Sequence, residues 1–344
     1  MITTAPLPSL TSLLCRATSR QAAAPWLRDG QRAVVTPRSS WSLAWLAALR
    51  GPQPRIALPA WFCNASLAPL RAMGARFTFV TVDDQGQPDW DSVQQADLIV
   101  AVHTFGQIND LGAARAACQR TGAWLVEDCA HVLGPVPGMG SGDYALYSPH
   151  KLLALPEGAV LVSTGGNLPE IPDLPVSSPW SWLRRRLIQK ALPDLARRHL
   201  PQGGPACFLD VPPDAPLASP EMPSAFTLKM MAAADLDREA ARRRANARSL
   251  RDALAPIKGW QPFFSDDGPA PYRFVLRCQD EATAIDRYAA LRAAKLPVET
   301  WPDLPPEVND SQAVALRRSL ILLPVHGALP AGYDQLYRQA LSHV

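Results

Sequence analysis

The sequence predicts an α/β fold: a large domain on a mostly parallel mixed sheet flanked by helices, then a small α+β C-terminal domain. Two observations carry this expectation. Strand-like and helical patterns alternate from about Ser39 to Ser163, the arrangement that builds parallel sheets. Several of the strand-like runs, Leu98 to His103 above all, are apolar without alternation, as in a sheet covered on both faces. The 344 residues, 47% hydrophobic and 19% charged, supply core enough for one large or two ordinary domains.

The elements follow in order. Ser39 to Leu49 reads as a helix capped by Ser39 or Ser40. Arg55 to Pro59 is a short strand, and Ala65 to Met73 a helix ended by Gly74. Phe77 to Val82 is a strand and Asp91 to Gln95 a short helix. Leu98 to His103 is the apolar strand, and Leu111 to Arg120 a helix closed by Gly122. Trp124 to Glu127, Tyr144 to Tyr147 and Ala159 to Ser163 complete the strands of the first half.

Residues 167–218 are rich in Pro, Gly and Ser and read as a bridging segment, with a basic amphipathic piece from Trp180 to His199. One long helix is expected from Ser224 through Leu254. Strands at Tyr272 to Leu276 and Leu320 to Leu323, and helices at Glu281 to Ala294 and Ala331 to Leu341, make the small domain. The expected division is therefore 1–220 and 221–344.

Composition excludes several classes. The net charge is +3 with no long like-charge tail, so no nucleic-acid arm is expected. The six cysteines, Cys15, Cys63, Cys118, Cys129, Cys207 and Cys278, form no CxxC pair. Neither a zinc ribbon nor a disulfide framework follows, no metal is expected, and a reducing, cytoplasmic setting fits best. The first twenty residues lack a secretory pattern, and no apolar run reaches the length of a membrane span.

Two stretches carry chemistry. Glu127-Asp128-Cys129-Ala130-His131 follows one strand, and Ser148-Pro149-His150-Lys151 follows the next. A carboxylate and a lysine at neighbouring strand ends are the parts of a pyridoxal phosphate (PLP) site. That cofactor needs a lysine amine to carry it and an acid to keep its ring nitrogen protonated. Either residue alone has an ordinary reading: a solvated loop lysine, or an aspartate capping loop amides. His131 is placed to donate to the cofactor's ring oxygen. Arg38-Ser39-Ser40 before an apolar helix suits a phosphate, and Ser148 adds a hydroxyl. Trp61, Phe62 or His103 could lie over a planar ring. Cys129 reads as core packing.

In this order, Arg38-Ser39-Ser40, Leu58-Pro59-Ala60-Trp61, Val102-His103-Thr104-Phe105-Gly106-Gln107, Glu127-Asp128-Cys129-Ala130-His131, Gly142-Asp143 and Ser148-x-x-Lys151 resemble the DegT/StrS-type sugar aminotransferases. The likeness resumes at Arg242 to Asn246 and Leu323 to His326. It implies fold type I, with Lys151 as the Schiff-base lysine and Asp128 paired to the pyridine nitrogen. His131 stands where the family usually has glutamine, and Ser148 with residues 38–40 would hold the phosphate. It also implies a homodimer, glutamate as amino donor and a nucleotide-linked ketosugar as acceptor, in polysaccharide or natural-product biosynthesis. The chain departs from the pattern in a shorter loop between Asp143 and Lys151, in Cys63 where an aromatic usually stacks, and in a less glycine-rich turn at Pro156 to Ala159.

Three alternatives stand beside this reading. A PLP-dependent sugar dehydratase replaces the lysine with histidine, which Lys151 argues against. Ser148-x-x-Lys151 matches the SxxK of penicillin-recognising hydrolases, but Lys-Thr-Gly is missing. A non-catalytic PLP- or sugar-binding regulator is the third. Separately, the Trp180 to His199 piece fits peripheral contact with an anionic membrane, or an interdomain helix packed on the large domain.

Overall fold

The computed structural model describes residues 2–8, 21–165, 167–193, 196, 207, 208, 210, 217–266 and 268–342. Its elements are β1 (Arg32–Thr36), α1 (Ser39–Ala48), β2 (Arg55–Pro59), α2 (Ala68–Ala72), β3 (Arg76–Val80), β4 (Leu98–Val102) and α3 (Gly112–Thr121). Then come β5 (Trp124–Cys129), β6 (Tyr144–Tyr147), α4 (Pro149–Leu152), β7 (Ala159–Ser163) and α5 (Trp180–Ala191). The rest is α6 (Ala225–Ala232), α7 (Leu236–Leu254), β8 (Trp260–Pro262), β9 (Arg273–Cys278), α8 (Glu281–Ala293), β10 (Glu299–Thr300), α9 (Ser311–Ser319), β11 (Leu320–Pro324) and α10 (Tyr333–Leu341).

Seven strands form one sheet in the order β1-β7-β6-β5-β4-β2-β3. β6, β5, β4, β2 and β3 pair in parallel, while β7 pairs antiparallel with both β6 and β1. Alternation along each strand sends side chains to two covered faces. Ile56, Leu58, Leu98, Val100 and Val126 pack under α1. Ala57, Ile99, Ala101 and Leu125 pack under α3 on the other side. This is why the strands read as continuous apolar runs. A second sheet, β10-β11-β9-β8, is wholly antiparallel. Its inner face packs with α7, α8 and α10. Trp61, Phe105, Phe263 and Trp301 fill a cluster between the two sheets.

Several sequence expectations shift. The single helix expected from Ser224 to Leu254 is two. Ser224 caps α6 by accepting from the Thr227 N–H, and Asp235 caps α7 by accepting from the Arg238 N–H. A second N-cap inside a helical composition restarts the helix at a new angle. Met230 and Met231 of α6 pack with Trp26 and Val160 against the large sheet. The helix expected at Ala65 to Met73 begins as a 3-10 turn, Asn64–Leu67, before α2. Asp91 to Gln95 is likewise only a 3-10 turn at Trp90–Ser92. β1, β8, β10 and α9 were not expected at all, because short edge strands and a polar helix give little periodic signal. Part of the Trp180 to His199 piece lies outside the described residues; the described part forms α5.

Candidate active site

Strand parity and register build the site. Asp128 lies two residues beyond Val126, so its side chain leaves the sheet on the α1 face. Its register partner on β6 is Leu146, and Ser148 lies two residues further on the same face. The start of α1 stands over this edge. Ser148 Oγ donates to Ser39 Oγ at 2.8 Å, joining the end of β6 to that helix start. Arg38 is the extended N-cap, and it supplies no side-chain cap. The Ser39 and Ser40 N–H groups precede the first intrahelical bonds, which reach Arg38 O from Trp41 and Ser42. Two amides without an intrahelical acceptor, the positive end of the helix dipole and two hydroxyls thus gather at this helix start, the donor set of an anion cradle.

Lys151 lies in the one-turn helix α4, not in a loop, with its N–H bonded to Ser148 O at 3.0 Å. Its charge acts on three neighbours at once: Asp128, His131 and His150. Burial raises the Asp128 carboxyl above its usual range, opposed by the Lys151 charge and by the Ala130 N–H, which donates to Oδ1 at 2.9 Å. The second carboxylate oxygen takes no hydrogen bond among the described residues. A desolvated carboxylate with one free oxygen seeks a cationic partner.

His131 is ordered from three sides. Phe105 N–H donates to Nδ1 at 3.3 Å, so the remaining proton of a neutral ring sits on Nε2. Burial, Lys151 and Arg273 push its pKa well below the ordinary value. Its ring stacks on Tyr272 at 4.2 Å and 8°, and the Arg273 guanidinium lies over the Tyr272 ring, 4.0 Å from its centroid. Phe105 itself has φ 55, a left-handed conformation costly for a bulky residue. Burial of its ring between the sheets holds it there. Gly106 follows with φ +89, and a Cβ there would meet Ala270 O at 2.6 Å. That close approach lets the Tyr272 N–H reach Phe105 O at 2.8 Å and bring Tyr272 against His131.

Three expected ring contacts are corrected. Trp61 is buried against Trp301, with centroids 4.4 Å apart, in the cluster between the sheets. Phe62 is buried in the cluster under α1. His103 is fully buried; its Nδ1 accepts from Asn109 N–H at 3.1 Å and its Nε2 faces Glu127 at 3.2 Å. None of the three offers a free ring face, because each is spent on packing or on an internal hydrogen bond. Cys63, the next position along, is half-buried. Sequence reading missed Tyr272, Arg273 and His150. Tyr272 and Arg273 come from the small sheet, and no local pattern announces them. His150 donates from Nδ1 to Gly158 O at 3.0 Å and is held neutral by burial, its pKa lowered to about 4.

His103, Glu127 and Cys129 also cluster, their ligand atoms lying within 4.8 Å of one another. Glu127 accepts from the Gly140 and Gly142 amides as well as facing His103. The cluster is a hydrogen-bonded brace on the opposite sheet face from Asp128, and Cys129 is a buried core thiol whose pKa burial pushes well up.

The donor set fits pyridoxal phosphate: an anion cradle, a desolvated carboxylate, a neutral N–H donor and a lysine, all at one sheet edge. Comparison with known proteins agrees. The model of the DegT/DnrJ/EryC1/StrS aminotransferase family matches residues 39–172. A pleiotropic regulatory protein of Geobacillus stearothermophilus is 26% identical over 141 residues, 37% of this chain and 38% of that protein's own length. Among solved structures, Helicobacter pylori PseC, an aminotransferase involved in the biosynthesis of pseudoaminic acid, superposes with TM-score 0.70 at 11% identity, covering 99% of this chain and 98% of that one. A GDP-4-keto-6-deoxymannose-3-dehydratase solved with trapped PLP-glutamate gives TM-score 0.69 at 14% identity, covering 99% and 100%. The fold is that of the fold type I PLP-dependent transferases, and residues 39–172, which hold Asp128, His131, Ser148 and Lys151, are the part of the chain similar to the DegT/DnrJ/EryC1/StrS aminotransferase family.

Proposed function

We propose that this chain is a PLP-dependent aminotransferase that moves an amino group from an amino acid, glutamate, to a keto group on a nucleotide-linked sugar. The observation that carries this is the joint action of the Lys151 charge on Asp128 and His131 at the edge capped by the start of α1. When bound, the cofactor supplies an aldehyde carbon that takes amines and a ring that accepts electrons released at the donor's Cα.

The chain's own residues do the rest. Lys151 would hold the aldehyde carbon. With its amine free, it would serve as the base for the proton on the donor Cα. Asp128 would keep the ring nitrogen protonated, and that cation would answer its desolvated carboxylate alongside Lys151. His131 would donate from Nε2 to the ring oxygen. Ser39, Ser148 and the α1 amides would hold the phosphate, with Arg38 at the rim. The protein works as a cytoplasmic homodimer in this reading.

The test is direct. Purified protein is loaded with PLP, and its visible spectrum is followed on adding glutamate, for wild type and Lys151→Ala. Wild type should lose the band of the lysine-bound cofactor and yield one equivalent of 2-oxoglutarate; the variant should yield none. No band and no keto acid would sink the proposal, leaving the regulatory reading suggested by the name of the Geobacillus relative. With a nucleotide-ketosugar added, mass analysis separates an aminated product from the deoxygenated product of a dehydratase. Light scattering gives the oligomeric state.

A further inference from the structure

The exposed apolar side chains of this chain are not scattered. Of the ten large hydrophobics left open to solvent among the described residues, five lie at or beside one helix: Val176, Trp180, Leu187, Ile188 and Leu192. Trp180 is 75% exposed, Leu192 53%, Leu187 43% and Ile188 37%. Trp182 and Leu183 are buried and dock the helix on the protein. Helical spacing sets Trp180, Arg184, Leu187, Ile188 and Ala191 on one outward face. α5 is therefore amphipathic twice over, with one apolar stripe turned in and another turned out.

Its charge is one-sided. Residues 180–192 carry Arg184, Arg185, Arg186 and Lys190 and no Asp or Glu. Arg186 and Lys190 are occupied, the first with Gln189 and over Trp182, the second with Pro8 O. Arg184 and Arg185 are exposed and pair with no carboxylate among the described residues. An apolar stripe ending in an exposed indole and flanked by exposed arginines is the pattern of a helix lying in a bilayer interface.

We propose that the outward face of α5 docks this protein on an anionic phospholipid surface. Trp180, Leu187 and Ile188 would enter the headgroup boundary while Arg184 and Arg185 meet lipid phosphates. No helix among the described residues is long and apolar enough to cross a membrane, so the contact is peripheral and reversible. A second copy of the chain is the other possible cover. A two-fold contact would set the same patch against itself, gathering Arg184 and Arg185 of both copies in one interface with no acid on the helix to answer them.

The experiment is vesicle co-sedimentation of the full chain, independent of cofactor chemistry. Vesicles are phosphatidylcholine alone or phosphatidylcholine doped with phosphatidylglycerol. The protein should pellet with the doped vesicles only, and added salt should release it. Arg184→Glu with Arg185→Glu should weaken partitioning at least ~10-fold, and Trp180→Ser with Leu187→Gln and Ile188→Gln should abolish it. Each variant should keep the wild-type circular dichroism and thermal transition. If those variants unfold, Trp180→Ser alone serves. Equal pelleting with both vesicle types, or none with either, overturns the proposal. So does a change in solution mass on Leu187→Gln without lipid, which would assign the face to a contact between copies.

Discussion

Arg243 Nη2 donates to the carbonyl of Leu152 at 2.6 Å, joining positions 91 residues apart. The side chain is fully buried on α7. Its Nη1 donates to Pro271 O at 3.1 Å and Tyr272 O at 3.2 Å, and its Nε pairs with Glu239 at 2.8 Å. One guanidinium thus ties the end of the Lys151 turn to the strand entry that sets Tyr272 against His131. Breaking a buried pair leaves the other charge and the carbonyls unanswered, at a cost of about 3–5 kcal/mol. Arg243→Met should lower the urea unfolding free energy by that order. Arg243→Lys should recover little, since an ammonium cannot span the same fork of acceptors.

Removing the lysine tests chemistry rather than stability. Lys151→Ala should cut turnover with glutamate by at least ~10²–10⁴-fold, the usual share of a positioned acid–base group. Asp128→Asn should fall comparably while still binding the cofactor. Single-turnover keto-acid release reads both. Activity of Asp128→Asn within threefold or so of wild type would remove Asp128 from the ring nitrogen.

His131 separates donor from packing. His131→Gln keeps an N–H donor and loses the stack on Tyr272, whereas His131→Leu loses the donor. The glutamine variant should retain the larger kcat. Tyr272→Ala should cost roughly 0.5–1.5 kcal/mol of stability beyond lost area, with a smaller effect on rate than His131→Leu.

The backbone at Phe105 and Gly106 offers a steric test. Gly106→Ala puts a Cβ 2.6 Å from Ala270 O at φ +89. The contact is with backbone, so a side-chain shift cannot relieve it. The thermal midpoint should fall by several degrees, and the Tyr272 contact with His131 should loosen, visible as weaker cofactor binding.

Acid sensitivity follows from the histidines. His150 is lowered to about 4 and His326 to about 3, chiefly by burial, and His131 also lies well below its ordinary value. A base whose folded pKa is depressed contributes fully above its unfolded value, near 6.5, and loses that contribution as pH falls toward the folded one. Each should cost up to ~1.4 kcal/mol per pH unit across its own window. Glu127, lowered by His103 and the Gly140 and Gly142 amides against its burial, adds loss below its unfolded value, while Asp128, raised by burial, works the other way. The urea midpoint should therefore drop steadily from pH 7 to pH 4. A flat profile would contradict the burial of these rings.

The strands at Arg55–Pro59, Tyr144–Tyr147 and Ala159–Ser163 were legible to the residue, because both their faces are buried and apolar sequence then has no alternative use. That Lys151, Asp128, His131, Ser148 and Ser39 lie beside strand ends and a helix start was legible, because the strands and helix that place them carry their own periodic signal. Trp61, Phe62 and His103 misled because an aromatic near a strand end reads the same whether it lines a site or fills a core.

From the chain alone one reads the larger sheet, its flanking helices, and an amine, a carboxylate and a serine-rich helix start near the strand ends. Local periodicity and residue chemistry encode those. Which side chains meet is settled by the packing of distant segments. The break between Ala232 and Leu236, the Tyr272 stack on His131 and the Arg243 bond to Leu152 join segments distant in sequence or depend on a cap. Such contacts are set by how two sheets pack around a close-approaching glycine, and pairwise packing leaves no period in the chain to read.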